Sequence, residues 1–402
     1  MSFESLDRSA SQYVINLIDN GISEGKTLDY KKELHLDKPS EKKEFLADVS
    51  SFANTEGGWL IFGVEEEGGK PKKVCGIEVD DEDELKQKIN NLLLTGVETK
   101  ITGVTSNFVT YKGKRILALH IPRSYLKPHR VTLEKDYRFY ARNDSGKYLM
   151  DVDELRLAFT ASEQWADRIR RFREERLATL LGGDYPSPLF KFSPPWYTLH
   201  IVSYGAFSPG RNYPLPDFYK HSDLMGLVYN YFPNYSPNAD GAILWRKQEN
   251  MCEYLQLFRN GVVEFLGNEC FETTNSGLEL HLNCFEETIL EYLKMGVPLL
   301  QQLGVESPLA VFITLCGVRG CRIHQGLLEH LKRNPEFLIR KEIGAGAITR
   351  EVLFIPEVVI ENYASLEPDK LLRPCFDVLW NAFGFPGSPN YDQDGKRKIK
   401  GI

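Results

Sequence analysis

The most informative part of the sequence is residues 52–64, which read Phe-Ala-Asn-Thr-Glu-Gly-Gly-Trp-Leu-Ile-Phe-Gly-Val. Before it, apolar residues recur at helical spacing after Ser40, which we expect to cap the helix. Gly57 and Gly58 should end that helix, because glycine adopts backbone angles that other residues avoid. The apolar run at residues 59–64 then predicts a buried strand. For the two glycines we favour a structural turn over a phosphate cradle made by their N–H groups.

The residues on both sides of this segment continue the alternation of helices and strands. A strand is expected at residues 27–34, and Lys112-Gly113-Lys114 predicts a hairpin turn between two strands. Further helices are expected at residues 10–21 and 81–94, and further strands at residues 102–111, 115–121 and 136–143. This order predicts an α+β domain with one mixed sheet at residues 1–160.

The remainder of the chain predicts a second domain of the same class. One long helix is expected at residues 154–181, and a segment rich in glycine and proline follows it. After that segment, apolar runs and the hairpin turn Asn260-Gly261 indicate further strands among helices. We therefore expect a helical linker at residues 161–190 and a C-terminal α+β domain of unknown role at residues 191–402.

The overall composition is that of a globular protein without a membrane span. Of the 402 residues, 42% are hydrophobic and 26% are charged, and no apolar run reaches the roughly 18 residues of a transmembrane helix. The N-terminus lacks the features of a secretory signal, and the seven cysteines are scattered. We therefore expect a cytoplasmic protein with reduced thiols. The net charge of −7 argues mildly against a protein that coats nucleic acid, but it permits a local basic groove.

The first candidate site lies on the strand expected at residues 27–34. Asp29 and Lys31 alternate on it and therefore project from one face, and Glu24 lies in the loop before it. Glu65, at the end of the neighbouring strand, would complete a set of oxygen ligands for Mg²⁺ or Mn²⁺, and Lys31 is placed to stabilise negative charge. The competing interpretation is a solvated face beside an acidic turn, since carboxylates are common at strand ends.

Several motifs together resemble a known domain family. They are Glu24-x4-Asp29-Tyr30-Lys31, residues 52–65, Lys127-Pro128 and Tyr140-Ala141-Arg142-Asn143-Asp144-Ser145. This set resembles the AlbA-like domain shared by Schlafen proteins and many prokaryotic proteins, over about residues 10–160. The Ala-Asn-Thr-x-Gly-Gly stretch is the most specific part of the resemblance.

The resemblance implies a metal site and an enzymatic activity. In the Schlafen branch with RNase activity, two acidic residues five apart and one after the Gly-Gly strand bind the metal, which corresponds to Glu24, Asp29 and Glu65. Glu66 replaces Glu65 if the alignment shifts by one residue. The family commonly has Glu where this chain has Asp29, and Asp where it has Glu65. The resemblance thus implies an endoribonuclease that depends on Mg²⁺ or Mn²⁺, with Lys31 beside the phosphate.

The resemblance also implies a nucleic-acid partner, with structured RNA such as tRNA favoured over DNA. Lys127, Arg142 and Lys147 are the candidate contacts to the phosphate backbone. Schlafen cores pair two such domains into a clamp around tRNA, whereas this chain has one, so a homodimer or a larger assembly is expected. Anti-phage defence is a reasonable biological setting, because prokaryotic members of the family occur in such systems.

Two other functions remain open. The same domain is compatible with a non-catalytic DNA-binding transcriptional regulator, since prokaryotic members of the family have been described as regulators. It is also compatible with a subunit of a larger defence complex that carries a degenerate metal site. Cleavage of tRNA by the pure protein would separate both alternatives from the nuclease.

Three features outside this site carry weaker predictions. The spacing Cys316-x4-Cys321-x2-His324 resembles that of zinc ligands, but Cys316 ends an apolar strand, so buried thiols are favoured. His281 precedes an apolar helix and has no recognisable nucleophile motif nearby. The arginines of residues 168–176 alternate with glutamates on a helix, which favours an ordinary charged face.

Overall fold

The structure, a computed structural model, describes residues 3–186, 193–208, 210–216, 223–248, 251–333, 346–363, 366–392 and 395–398. The chain divides into two compact units, Met1–Asp167 and Arg168–Ile402. We call them the N-terminal unit and the C-terminal unit and describe each by itself. Of the predicted linker, residues 187–190 lie outside the described residues.

Helices and strands alternate in the N-terminal unit. Its helices are α1 (Phe3–Asp19), α2 (Pro39–Asn54), α3 (Glu82–Gly96) and the first part of α4 (Val152–Leu181). Its strands are β1 (Leu28–Lys31), β2 (Gly57–Phe62), β3 (Val64–Glu67), β4 (Lys70–Val74), β5 (Val97–Glu98), β6 (Thr105–Tyr111), β7 (Lys114–Pro122), β8 (Arg130–Val131), β9 (Arg138–Asn143) and β10 (Gly146–Leu149).

A mixed four-stranded sheet in the order β1-β2-β7-β6 forms the centre of this unit. Strands β1 and β2 are parallel, with Asp29 opposite Leu60, whereas the β2–β7 and β7–β6 pairs are antiparallel. A second four-stranded sheet has the order β10-β9-β8-β5, and β3 pairs with β4. The mixed sheet expected from the sequence is therefore present.

Strand β2 is buried on both faces, because its side chains alternate between two layers of helices. Leu60 and Phe62 pack in one core with Phe52 of α2. Ile61 packs in a second core with Val14 of α1. A continuous apolar run is the pattern expected of a strand covered on both faces. This packing fixes the position of β2 and of its partner β1, and thereby of the charged residues at the ends of these strands.

Gly57 and Gly58 form a turn in which any other residue would clash. Gly57 has a φ of +73°, and a Cβ there would lie 2.4 Å from the backbone nitrogen of Arg123. A Cβ on Gly58 would lie 2.1 Å from the carbonyl oxygen of Thr27. The Trp59 amide donates a hydrogen bond to the same carbonyl at 2.8 Å. The glycines therefore permit the close approach of β1 and β2, which favours the structural interpretation.

The start of α2 differs from the sequence prediction. The helix begins at Pro39 with Lys38 at the cap position, so the expected Ser40 cap is wrong. The Glu41 carboxylate accepts hydrogen bonds from the backbone amides of Asp37 and Lys38 at 3.2 and 3.0 Å. Pro39 suits the first helical position, because its missing N–H would have no partner there. A glutamate and a proline thus begin this helix instead of a serine hydroxyl.

The C-terminal unit also combines helices with sheets, so the predicted α+β class is confirmed. Its helices are the remainder of α4, α5 (Asp223–Tyr231), α6 (Leu282–Gln302), α7 (Gln325–Arg333) and α8 (Pro368–Ala382). Its strands are β11 (Trp196–Ser203), β12 (Asn234–Pro237), β13 (Gly241–Gln248), β14 (Met251–Phe258), β15 (Val263–Gly267), β16 (Phe271–Thr274), β17 (Gly277–Leu280), β18 (Leu309–Cys316), β19 (Arg322–Ile323), β20 (Val352–Phe354) and β21 (Val358–Ile360). Within the described ranges, no helix is long and apolar enough to cross a membrane.

A large antiparallel sheet organises this unit. Its described strands follow the order β12-β13-β14-β15-β11-β18-β20, and β21 also pairs with β18. Leu199 of β11 packs in one core with Leu293 of α6 and Phe376 of α8, so these helices cover one face. A separate small sheet has the order β16-β17-β19, in which β17 and β19 are parallel.

In the 168–176 run Arg173 is buried and the side chain of Arg176 is 10% exposed, so the prediction of an ordinary charged face is wrong for these two arginines. Arg173 donates hydrogen bonds to the Thr314 hydroxyl at 3.0 Å and to the Ile313 carbonyl at 2.8 Å. Arg176 donates to both carboxylate oxygens of Glu264. The long aliphatic stem of arginine allows such burial when the charged end finds partners. Those partners lie on distant strands and leave no local pattern in the sequence.

Candidate active site

Asp29 on β1 is the centre of a group of charges in the N-terminal unit. It is 7% exposed, and its two oxygens lie 2.9 Å from Lys31 Nζ and 2.8 Å from Arg142 Nη2. Burial disfavours the ionised carboxylate, but Lys31 and Arg142 together hold the pKa of Asp29 below its usual range. Asp29 is therefore a buried anion that two cations keep ionised.

Arg142 is fixed beside Asp29 by contacts on several sides. It is 3% exposed, and its guanidinium lies over the Phe52 ring, 3.9 Å from the centroid. Its backbone amide donates to the Thr55 hydroxyl at 3.1 Å. Its Nε and Nη1 atoms are buried without a hydrogen-bond partner among the described residues. The predicted phosphate contact would require an exposed guanidinium, whereas the structure buries Arg142 as the partner of Asp29.

Asn54, at the end of α2, connects the segment that contains Gly57 and Gly58 to the later residues Tyr140-Ala141-Arg142. Its Nδ2 donates hydrogen bonds to the carbonyls of His129 and Tyr140 at 3.0 and 2.8 Å. Its Oδ1 accepts from the His129 amide at 2.7 Å. One buried amide thus joins the end of α2 to β9, the strand that carries Arg142. The glycine segment therefore positions Arg142 and does no chemistry itself.

Glu24 lies in the loop before β1 and turns back toward that strand. Its Oε1 accepts a hydrogen bond from the Tyr30 amide at 2.7 Å, and its own amide donates to the Gly69 carbonyl at 2.7 Å. Burial raises the pKa of Glu24, and the charges of Asp29 and Glu66 raise it further, although the Tyr30 amide acts in the opposite direction. Glu24 thus lies close enough to Asp29 and Glu66 to be repelled by both, and a cation would relieve that repulsion.

Glu65 pairs away from this group. Its Oε1 lies 3.1 Å from Lys32 Nζ, and this hydrogen bond lowers the pKa of Glu65. A bulge in the β3–β4 pairing separates Glu65 from Glu66. Glu66 is instead the carboxylate that acts on Glu24, and it accepts from the Gly69 amide at 2.7 Å. The structure thus brings Glu66 toward Glu24, as a shift of the alignment by one residue predicts.

Asp48 on α2 is a member of the group that the sequence analysis missed. It is 4% exposed, and Lys147 Nζ lies 2.8 Å from its Oδ1 and also pairs with Glu44. Burial raises the pKa of Asp48, with Lys147 and Lys31 acting in the opposite direction. Lys147, a predicted phosphate contact, is thus already engaged by two carboxylates. The only signal for Asp48 is its position three residues after Phe45, on the face that α2 buries.

Lys127 belongs to a separate cluster of cations. Burial lowers the pKa of Lys127, and the charges of Arg123 and Lys26 lower it further. The Lys127 ammonium donates to the Asn54 carbonyl at 3.4 Å, and Lys26 pairs with Glu56 at 2.5 Å. We call Lys26, Arg123 and Lys127 the Lys127 patch. Cations that repel one another in this way are stabilised by an anionic partner.

The carboxylate group fits a magnesium-like ion in part. Its oxygens are the ligands that Mg²⁺ and Mn²⁺ prefer, and Mg²⁺ sites commonly use one or two carboxylates together with substrate phosphates. Both oxygens of Asp29 are engaged by cations, however, and Lys31 would have to release one of them. In the described part of the chain, no three carboxylates of this group have oxygens within 4.8 Å of one another. A site held by Glu24 and Asp29 therefore fits better than the predicted triad.

The N-terminal unit matches a known family. Residues 24–151 match the family model Schlafen, AlbA_2. The Schlafen-type AlbA-like domain predicted from the sequence is thereby confirmed. The matched segment contains the whole charged group around Asp29. A Schlafen AlbA_2 domain indicates a function related to nucleic acids.

Two solved structures are similar to part of the chain. The DIP2311 protein from Corynebacterium diphtheriae is 22% identical with a TM-score of 0.26, over 36% of this chain and 27% of its own. The N-terminal domain of a putative ATP-dependent DNA helicase RecG-related protein from Nitrosomonas europaea is 17% identical with a TM-score of 0.23. That match covers 34% of this chain and 84% of the domain. A comparison with curated proteins gives no match.

Proposed function

We propose that the N-terminal unit is an endoribonuclease that depends on a divalent metal and acts on structured RNA such as tRNA. Glu24 and Asp29 are the proposed metal-binding carboxylates, with Glu66 as the third acidic residue. The observation that carries the proposal is the placement of Glu24 beside Asp29 and Glu66: burial raises the pKa of Glu24, and the charges of these two carboxylates raise it further. The match of residues 24–151 to the Schlafen, AlbA_2 family model supports the choice of nucleic acid as substrate.

Mg²⁺ or Mn²⁺ at these carboxylates would activate water and neutralise phosphate charge. The remaining roles fall to residues of the chain. Lys31 has a side chain 38% exposed, so its ammonium can leave Asp29 and contact a phosphate oxygen from the solvent side. Arg142 acts as a positioning residue, because it holds Asp29 ionised and in a fixed orientation. Its Nε and Nη1 atoms, which lack a partner within the described part of the chain, carry an unmet hydrogen-bonding cost of the kind that calls for an explanation.

The Lys127 patch is the proposed contact with the RNA backbone. Contacts from lysine and arginine to phosphates are independent of base sequence and weaken as salt concentration rises. Such contacts suit a substrate that is recognised by its fold rather than by its sequence. The patch consists of residues from the loop before β1 and the loop after β7, and the glycine turn approaches both loops, at Thr27 and Arg123.

A second candidate function is a regulator that binds duplex DNA without cleaving nucleic acid. The observation that favours it is the pairing of both Asp29 oxygens with cations, which is a complete ion-pair arrangement without metal. In this alternative the charged group only stabilises the fold. A subunit of a larger defence complex with the same degenerate site would also fail to cleave, but it would co-purify with its partner and lack affinity for nucleic acid.

Cleavage of a total tRNA pool by the purified full chain in the presence of Mn²⁺ tests the proposal. We expect cleavage by the wild type, loss of cleavage in Glu24→Gln, and normal cleavage in Glu67→Gln. Glu67 is a suitable control, because it is an exposed carboxylate on β3 that pairs with Lys72. Cleavage that persists in Glu24→Gln would contradict the proposed site. No cleavage by the wild type, together with tight binding of duplex DNA, would favour the regulator.

The third carboxylate is tested by a second pair of variants. Glu66→Gln should raise the Mn²⁺ concentration needed for half-maximal cleavage, because Glu66 acts on Glu24. Glu65→Gln should leave it close to the wild-type value, because Glu65 pairs with Lys32. The opposite order would restore the sequence-based assignment of Glu65.

The expected assembly and setting belong to the same proposal. A clamp around tRNA needs two AlbA-like domains, so we propose a homodimer or a larger homo-oligomer of this chain in the cytoplasm. Light scattering on the purified protein measures its mass directly, and a monomer at micromolar concentration would contradict this part. A role in anti-phage defence predicts that expression of the wild type, but not of Glu24→Gln, reduces phage plaque formation.

A further inference from the structure

The C-terminal unit holds three metal-ligand side chains that the proposed function does not use. Glu272 lies on β16, His281 follows β17 and His324 follows β19. Strands β17 and β19 are parallel, with Leu280 opposite Ile323. The next residue of each strand is a histidine, so His281 and His324 leave the sheet side by side. Their proximity therefore results from the strand pairing, although they are far apart in the sequence.

The two histidines point their Nε2 atoms at one carboxylate oxygen. Glu272 Oε2 lies 2.8 Å from His281 Nε2 and 3.7 Å from His324 Nε2. These three ligand atoms lie within 4.8 Å of one another, and no other set of three does so in the described residues. In a tetrahedral zinc site with bonds of about 2.0 Å, ligand atoms are about 3.3 Å apart. The observed distances lie on either side of that value.

Backbone hydrogen bonds fix both histidines at the starts of helices. The His281 amide donates to the Cys270 carbonyl at 2.9 Å, and the His281 carbonyl accepts from the Phe285 amide in α6 at 2.9 Å. The His324 amide donates to the Leu280 carbonyl at 3.1 Å, immediately before α7. The backbone positions of both histidines are therefore preformed, and ion binding would involve movement of the side chains only.

The rings must rotate apart to accept an ion. Their centroids are 3.8 Å apart and their planes differ by 23°. An ion bound to both Nε2 atoms lies in both ring planes, so binding would widen that angle. The side chains of His281 and His324 are 35% and 30% exposed, and that of Glu272 is 52% exposed. Solvent can therefore supply a further ligand.

A simple surface ion pair is the competing explanation for these contacts. His35 and Glu33 provide an example in the same chain, with His35 Nε2 2.8 Å from Glu33 Oε2. The C-terminal cluster differs because a second imidazole is directed at the same oxygen and stacked on the first. Two imidazoles and one carboxylate are the ligand set of known zinc sites that keep an open position.

We propose that Glu272, His281 and His324 bind a divalent transition-metal ion of the zinc class, with the fourth position open to water or a small anion. Imidazole nitrogen favours such ions over Mg²⁺. The site therefore differs in chemistry from the carboxylate group of the N-terminal unit and stands whether or not that unit is a nuclease. The spacing of Cys316 and Cys321 pointed to zinc near His324, but both thiols are buried, and the ligands come from other strands.

Zinc content after saturation and exhaustive dialysis of the full chain tests this site. We expect one zinc ion per chain in the wild type and less than a tenth of that in His281→Ala and in His324→Ala. His35→Ala should retain one ion, because its glutamate partner lacks a second imidazole. Glu24→Gln should also retain one ion, which separates this site from the proposed nuclease site. A wild type without zinc, or full zinc content in both C-terminal histidine variants, would overturn the proposal.

The visible spectrum of the wild type loaded with Co²⁺ adds a test that does not depend on how the histidine variants fold. Cys270 and Cys284 are the rival ligands, because their sulfurs lie 2.8 Å apart and near His281 in the sequence. Wild-type protein loaded with Co²⁺ should show the visible bands of nitrogen and oxygen ligation, and Cys270→Ser should leave them unchanged. An intense thiolate charge-transfer band that disappears in Cys270→Ser would assign the ion to the cysteines and overturn the proposal.

Discussion

Each unit buries a carboxylate against an arginine, but the two arrangements differ in how completely they are satisfied. Glu264 in the C-terminal unit is fully buried. Its two carboxylate oxygens accept hydrogen bonds from Arg176 at 2.7 and 2.9 Å. His200 and the Tyr254 hydroxyl lie 2.8 and 2.7 Å from the same carboxylate. Burial disfavours its charge, yet Arg176 and His200 hold the pKa of Glu264 far below its usual range.

The Asp29 group in the N-terminal unit is less complete. Lys31 is shared between two carboxylates. Burial lowers its pKa, but the charges of Asp48 and Asp29 raise it above the usual value. Glu24 remains beside these anions with only a backbone amide as its hydrogen-bond donor among the described contacts. Two buried nitrogen atoms of Arg142, Nε and Nη1, have no hydrogen-bond partner among the residues that the structure describes. The group therefore retains capacity for a cation or a phosphate, which the Glu264 group lacks.

Under the proposed function, this difference separates a structural ion network from a functional one. A fully buried carboxylate whose two oxygens both accept hydrogen bonds, like that of Glu264, stabilises one conformation and offers nothing to a ligand. In the Asp29 group, burial raises the pKa values of Glu24 and Asp48, and neighbouring carboxylates raise them further, a pattern frequent at functional sites. Both groups contain an arginine–carboxylate pair, so the pair itself identifies neither role.

The largest expected effect is on the Glu264 network. Arg176→Ala leaves a buried carboxylate without its main partner, which should lower the free energy of unfolding by about 3–5 kcal/mol. Arg170→Ala is the matched control on the same helix, because Arg170 pairs with Glu357 at an exposed position. Arg170→Ala should lower the free energy of unfolding by less than about 1 kcal/mol. Urea titration of both variants measures the difference, and equal losses would contradict the structural role of Glu264.

A second effect concerns His129, which supports the site through Asn54. Burial lowers the pKa of His129 to about 4, from 6.5 in the unfolded chain. Between these values the unfolded state binds more protons, so stability should fall as the pH decreases from about 6.5 to about 4. The full loss is about 3 kcal/mol. The comparison of wild type with His129→Asn isolates it, and identical pH profiles of unfolding would refute the assignment.

A third, smaller effect distinguishes positioning from simple stabilisation at Asp29. Arg142→Ala should lower stability by about 1–3 kcal/mol, because Asp29 keeps Lys31 as a partner. The same change should raise the pKa of Asp29, so the cleavage rate should decline at a higher pH as the solution is acidified. Arg142→Lys should restore part of that pH profile. A pH profile identical to that of the wild type would show that Arg142 does not act through Asp29.

The smallest expected effect is on the Lys127 patch. Lys127→Ala should change stability by less than about 1 kcal/mol, since Lys127 makes one long hydrogen bond. Its RNA affinity should fall, and the slope of log affinity against log salt should decrease by about 1. Lys112→Ala, a change at an exposed turn on the β6–β7 hairpin, is the control. An unchanged salt slope in Lys127→Ala would remove Lys127 from the interface.

The fold of the N-terminal unit was predictable because its signals are local. The apolar run that became β2 and the glycines before it describe a strand covered on both faces and a close backbone approach. Asp29 and Lys31 were placed on one face by simple alternation along β1. The start of α2 was not predictable in the same way, since Glu41 competes with Ser40 for the capping role.

The composition of the candidate site was less predictable because it depends on contacts between distant segments. Asp48 is one charge on an apolar helical face, and only the fold shows that Lys147 neutralises it. A single bulge decides whether Glu65 or Glu66 faces Glu24. The pairing of β17 with β19 brings His281 to His324, and no sequence spacing reveals it.

The ratio of single-turnover tRNA cleavage rates for Glu24→Gln and Glu67→Gln, at saturating Mn²⁺, tests the central claim most directly. Both variants replace one carboxylate by an amide, but only Glu24 belongs to the incompletely neutralised group. The account predicts a Glu24→Gln rate at least about 100-fold lower, the size expected when a group that acts in the transition state is lost. Equal rates in the two variants would contradict it.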